Sequence, residues 1–176
     1  MGGVTGTGGV NFDRVDGATS VIEVEHHEVH EGNFYTVADN DTDVDILVPK
    51  YWHLIAPNTT TRIHLKFAGN ADTSGLWEFY ENPTTTNDGT GLNELNNDRN
   101  STNTSTLQTF RDPVVGADGT LIWNMRQGAT APPTKSSGTA RNGAEWILKQ
   151  NEQYLIKYTP DSDNAEATIA IEYYEE

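Results

Sequence analysis

From residue 20 onward, apolar positions recur in short runs separated by turn residues. Arg62–Phe67, RIHLKF, alternates strictly and places Ile63, Leu65 and Phe67 on one face of a strand. Ala167–Tyr174, ATIAIEYY, places Ile169, Ile171 and Tyr173 on one face and Thr168, Ala170, Glu172 and Tyr174 on the other. Similar segments recur at Ser20–His30, Asn33–Ala38, Asp43–Val48, Leu76–Tyr80, Leu107–Phe110 and Leu121–Met125, the last following an Asp118–Gly119 turn. Trp146–Lys149 and Tyr154–Tyr158 flank Gln150–Gln153 and predict a hairpin. No segment carries a sustained helical period with caps. The pattern predicts an all-β fold, a β-sandwich or jelly roll of about 8–10 short strands, and leaves strand order open.

Three segments break the rhythm. Asn82–Thr106 is mostly Asn and Thr, with Leu92 and Leu95 its only aliphatic residues, and predicts a long surface excursion. Gln127–Gly143, with Pro132 and Pro133, predicts a second long loop. Residues 1–19 are Gly-rich and predict a flexible N-terminal arm ahead of a single domain spanning 20–176. Within this arm, Val10, Phe12 and Val15 are the apolar groups able to anchor it on a neighbouring molecule.

Charge and cysteine usage narrow the partners. The formal charge of −15 over 176 residues repels phosphate backbones and anionic bilayers, so neither nucleic acid nor a membrane surface is expected as a partner. The chain has no cysteine, which excludes disulfides and thiolate chemistry. No apolar run approaches the roughly 20 residues of a membrane span. MGGVTGTGGV lacks the basic and apolar regions of a signal peptide. Gly6 departs from the myristoylation pattern, and Asn11 stands where a dinucleotide-binding loop needs its third glycine.

The stretch EHHEVHEG, Glu25–Gly32, holds three histidines. A metalloprotease helix needs Glu directly after the first His, whereas Glu28 comes one place late. Read as a strand, the segment separates His26 from His30 by roughly 13 Å, too far for one ion. No catalytic metal, and no cofactor, is expected. Asp39–Asp45 begins like a calcium loop, but Val44 and Lys50 replace its turn glycine and bidentate glutamate. That run, and Asp161–Asn164 more weakly, stays a candidate for a structural calcium ion bound between loops. Nucleophilic hydrolase motifs are absent, and 26 acidic residues make any glycosidase-like pair uninformative. No catalytic residue is assigned. N-x-[ST] patterns at Asn40, Asn58, Asn100 and Asn103 are expected by chance in such a composition. Trp77, Trp123 and Trp146 lie within apolar strands and predict core positions. Trp52, after Pro49 and close to a loop, is the aromatic expected at an exposed or interfacial position.

Four stretches carry a resemblance: EHHEVHEGNFYTV from Glu25, NNDRNST from Asn96, DGTLIW from Asp118, and GAEWILKQNEQYLIKYT from Gly143. With the closing IEYYEE they span the chain from about residue 20 to its end. On these, the chain resembles a family of small virion structural proteins of tailed bacterial and archaeal viruses, encoded among head genes. The resemblance implies a non-enzymatic β-sandwich that decorates or cements the capsid. Its implied location is the outer surface of the virion head. Its implied partners are the major capsid protein and its own copies, most often in a homotrimer. Val10, Phe12, Val15 and Trp52 are then the expected contact residues. The alternative is a tail, baseplate or head-fibre component, or a carbohydrate-binding module, that binds a host-surface glycan.

Overall fold

In the computed structural model, residues 10–12, 19–21, 24–128, 139–141 and 145–176 are described. Sixteen strands and one helix follow in chain order among them. They are β1 (Val10–Phe12), β2 (Thr19–Val21), α1 (Val24–Glu31), β3 (Phe34–Val44), β4 (Lys50–Ile55), β5 (Ile63–Ala71), β6 (Gly75–Glu81), β7 (Thr84–Asn87) and β8 (Thr90–Gly91). The series continues with β9 (Leu95–Asn96), β10 (Gln108–Arg111), β11 (Val114–Ala117), β12 (Thr120–Gln127), β13 (Thr139–Arg141), β14 (Trp146–Ile147), β15 (Gln153–Pro160) and β16 (Ala165–Glu175).

From β3 to β16 the chain pairs as one long antiparallel hairpin. β3 pairs with β16, β4 with β15, β5 with β14 and β13, β6 with β12, β7 with β11, and β8 with β10. The hairpin is rolled so that β16 also pairs with β5, and β15 with β6. Two sheets result, one ordered β13-β5-β16-β3-β9 with β14 also on β5, the other β12-β6-β15-β4-β10-β8. Successive main strands cross from one sheet to the other, except at β6 and β12, which are neighbours. This wiring is that of an eight-strand jelly roll, with β7–β11 inserted at the hairpin's far end.

Alternation places the core between the sheets. Tyr35, Val37, Leu65, Phe67, Ile169, Ile171 and Tyr173 face inward from the first sheet, and Trp52, Leu54, Trp77, Phe79, Tyr154, Ile156 and Tyr158 from the second. The strictly alternating segments read from the sequence occupy β5 and β16 with the expected faces inward. On the outer face of the second sheet, Asp88 of the inserted segment approaches His53 Nδ1 at 3.6 Å. Leu155 and His53 point away from the core yet are fully buried there. Tyr51 donates to Asp118 at 3.0 Å and Lys157 donates to it at 2.7 Å, tying the sheet to the turn between β11 and β12.

Several expectations are corrected. Ser20–His30 is not one strand: Thr19–Val21 is β2 and Val24–Glu31 is a helix. The helix ends in a Schellman motif, with Asn33 N–H donating to Glu28 O at 2.9 Å and Gly32 N–H to Val29 O at 3.1 Å. Gly32 has φ +72°, which glycine adopts without steric cost. Asp43–Val48 is not a strand. β3 runs on through Asp43 to Val44, and Asp45–Val48 is a turn. Trp146–Ile147 pairs with β5 instead of forming a hairpin with β15. Asn82–Thr106 is not a plain excursion, because it supplies β7, β8 and β9, and Leu92 packs on the core. Apart from these corrections, β1 and β2 pair antiparallel from Val10↔Val21 to Phe12↔Thr19, and the rest of the segment 1–19, expected to be a flexible arm, lies outside the described residues.

Candidate functional site

The sequence-derived contact residues are only partly described. Val15 lies outside the described residues, and Val10 and Phe12 belong to β1, paired with β2. Trp52 is fully buried, contrary to expectation. Pro49 ends a turn and β4 begins at Lys50, so Trp52 is the third residue of an interior strand. Its ring stacks on Trp77 at 5.7 Å, and its Nε1–H donates to Asp39 at 2.8 Å.

Two carboxylates of the acidic run 39–45 are used by the fold. Asp39 accepts from Trp52 and from Arg111, and Asp41 accepts from the buried Lys50 at 2.7 Å. The Lys50 bond holds the Asp41 carboxyl below its ordinary value. Burial pulls the Lys50 ammonium down, but its bonds to Asp112 and Asp41 outweigh burial and the net shift is upward. Among the described residues, no group of three or more His, Asp or Glu side chains is placed to hold a metal ion.

What the fold does present is the turn joining β3 to β4. Ile46, Leu47 and Val48 are consecutive and 42%, 73% and 56% exposed. Val48 N–H donates to Asp45 O at 3.0 Å, and Leu47 has φ +60° while Ile46 does not share a positive φ. That is the type II pattern, whose third position favours glycine. A leucine there costs about 1–2 kcal/mol. The strained turn is held from below: Ile46 N–H donates to Asp163 at 2.9 Å and Leu47 N–H to Pro160 O at 3.2 Å. Asp43, Asp45 and Asp163 flank it, all exposed. The result is an apolar tip with an acidic border, on a rigid base.

A second surface is the outer face of the first sheet. Register aligns Ala38, Ala170 and Ala68 in one row across β3, β16 and β5, and Asn40, Thr168 and Asn70 in the next. These small side chains leave a flat face, closed at one end by α1 and by Tyr174, which stacks on His64 at 4.4 Å. Neither surface was singled out from the sequence. The alanine row needs strand order to be seen, and the tip needs the backbone angle at Leu47.

The outer face of the second sheet holds a buried polar cluster. Lys157 lies between Asp118 at 2.7 Å and Glu78 at 3.5 Å, and over the rings of Tyr51 and Tyr80 at 5.7 and 5.6 Å. Burial, helped by Asp118, pushes the Tyr51 hydroxyl up to about 12. His53 pairs through Nε2 with Gln153 at 3.2 Å, and burial pulls its imidazole below its ordinary value. Asp118 and Asp88 reach the sheet from the inserted segment, and the other contacts lie between neighbouring strands of the sheet, so the cluster fastens the fold.

No protein-family model, no curated protein and no solved structure matches the chain.

Proposed function

We propose that the chain is a non-enzymatic virion structural protein, a decoration or cement protein that binds the outer surface of the head shell and stabilises it. One observation carries this: the exposed Ile46–Leu47–Val48 tip, in which a strained leucine is kept where glycine would relax the backbone. Strained residues persist where function needs them. An apolar tip bordered by carboxylates fits an apolar recess rimmed by Lys or Arg on the major capsid protein. The jelly-roll wiring agrees with the resemblance carried by the four stretches, and it is compatible with many functions besides. Self-association, as a homotrimer, is proposed through the flat alanine row, where small side chains allow a second copy to approach closely. No nucleic acid or membrane is involved in this proposal.

For the glycan-binding alternative, Trp52 would be the stacking ring, and that ring is in the core. It keeps no specific observation in its favour.

Cosedimentation with undecorated head shells tests the proposal. The native chain should pellet with the shells, and L47G with I46S should remain in the supernatant. Equal pelleting of both proteins would remove the tip as the docking element. Failure of the native chain to pellet would remove the shell as the partner.

A further inference from the structure

α1 brings two imidazoles into a geometry that the strand reading excluded. His26 and His30 are one helical turn apart, and their Nε2 atoms lie 3.1 Å from each other. The rings meet edge to face at 85°. Without an ion, this approach requires one Nε2 to donate a proton and the other to accept it. Two nitrogens at this separation can also be bridged by a divalent ion seated to one side of the line between them. An ion about 2.05 Å from both nitrogens would subtend about 98° at 3.1 Å separation. That lies between the right angle of a square-planar site and the wider angle of a tetrahedral one.

The helix carrying the pair is fixed at both ends. Glu25 is paired with Lys66 of β5 at its start. At its end, Asn96 and Asn103 donate to Gly32 O at 2.8 and 3.2 Å, beyond the Schellman bonds. Both imidazoles are exposed and therefore accessible. Among the described residues, the histidine–carboxylate contacts of this helix use His27, with Glu28 and Glu31, and leave His26 and His30 aside.

We infer that His26 and His30 form a two-imidazole clamp for a borderline divalent transition ion, Cu²⁺, Ni²⁺ or Zn²⁺, with water in the remaining positions. Imidazole suits these ions, whereas Mg²⁺ and Ca²⁺ prefer oxygen donors. The site is a binding site without an open catalytic role, and it does not depend on the decoration proposal.

The test is calorimetric titration of tag-free protein with NiCl2 and ZnCl2, with MgCl2 as the hard-ion control. One Ni²⁺ or Zn²⁺ per chain is expected, and no heat from Mg²⁺ beyond dilution. H26Q and H30Q should each lower the affinity at least tenfold, and H27Q should leave it unchanged. Glutamine is a good helix former at these exposed positions, and circular dichroism checks that the variants fold. As a second readout, Zn²⁺ should slow amide exchange within Val24–Glu31 of the native chain and of H27Q alone. Absence of binding, binding unchanged in both H26Q and H30Q, or binding lost in H27Q would each overturn the clamp.

Discussion

Gly69 on β5 faces Trp77 on β6 across the interior, and a Cβ built on Gly69 would lie 2.6 Å from the Trp77 ring. The two sheets therefore touch through an indole resting on bare backbone. Trp77 is pinned from other sides by Tyr158 at 4.7 Å and by its Nε1–H bond to Gln127 at 3.0 Å. It has nowhere to retreat. G69A should destabilise the fold by about 1–3 kcal/mol through overpacking. Urea unfolding measures this, and an unchanged midpoint would show that the ring can shift.

Leu47 should show the opposite sign. Removing the left-handed leucine relieves about 1–2 kcal/mol, against about 0.5–1 kcal/mol for the added freedom of glycine. L47G is therefore expected to gain about 0.5–1 kcal/mol of stability while losing shell binding. A stability loss in L47G would mean that the leucine packs against its own domain.

Glu175 ties the end of β16 to the segment leading into β10. Its carboxylate accepts from Ser105 Oγ at 2.9 Å, Thr106 N at 2.8 Å, Thr106 Oγ1 at 2.9 Å and Leu107 N at 3.3 Å. E175A should cost about 1.5–3 kcal/mol, the range for bonds to a charged group. Amide exchange at Thr106 and Leu107 should quicken in the variant. Unaltered exchange there would contradict the tie.

His53 makes stability depend on pH. Its imidazole is buried by Leu155 and Phe110, with Gln153 on Nε2 and Asp88 3.6 Å from Nδ1. Burial lowers its folded-state value, and the neighbouring Gln153 and Asp88 only partly oppose this. Between the folded and unfolded values the unfolded chain binds more protons. Stability is then full above the ordinary histidine value of about 6.5 and falls as pH drops from there toward the folded value. H53Q should flatten this part of the curve. The depressed Asp41 carboxyl gives a separate loss, in the carboxylate range below it.

Ala170 sits at the centre of the alanine row. A170R should leave the fold intact, because its side chain points out of the sandwich, and should convert the proposed trimer to monomer in light scattering. A strict monomer for the native chain would contradict self-association in solution.

Much of the sandwich was legible because alternation is a local signal. RIHLKF and ATIAIEYY show their buried faces in sequence, and Asp118–Gly119 marks a turn whose Gly119 has φ +93°. β4 was missed because Pro49 directly precedes it and the segment has no clean alternation: Trp52 and Leu54 face the core while His53 is buried on the other side. α1 was misread because Val24 and Val29 suggest a strand. Gly32, Glu25 in the first turn and His30 in the last are helix signals that were present. Its fixing by Asn96 and Asn103, some 64 to 72 residues away, was not a local signal. The tip was hidden because DVDILV reads as a strand until Leu47 turns left-handed.

The most direct measurement for the central proposal is location on the virus. Gold-labelled antibody raised against the purified chain should decorate the heads of intact virions that carry it, in many copies over the outer surface. Label confined to tails, or no label on intact particles, would contradict a decoration protein.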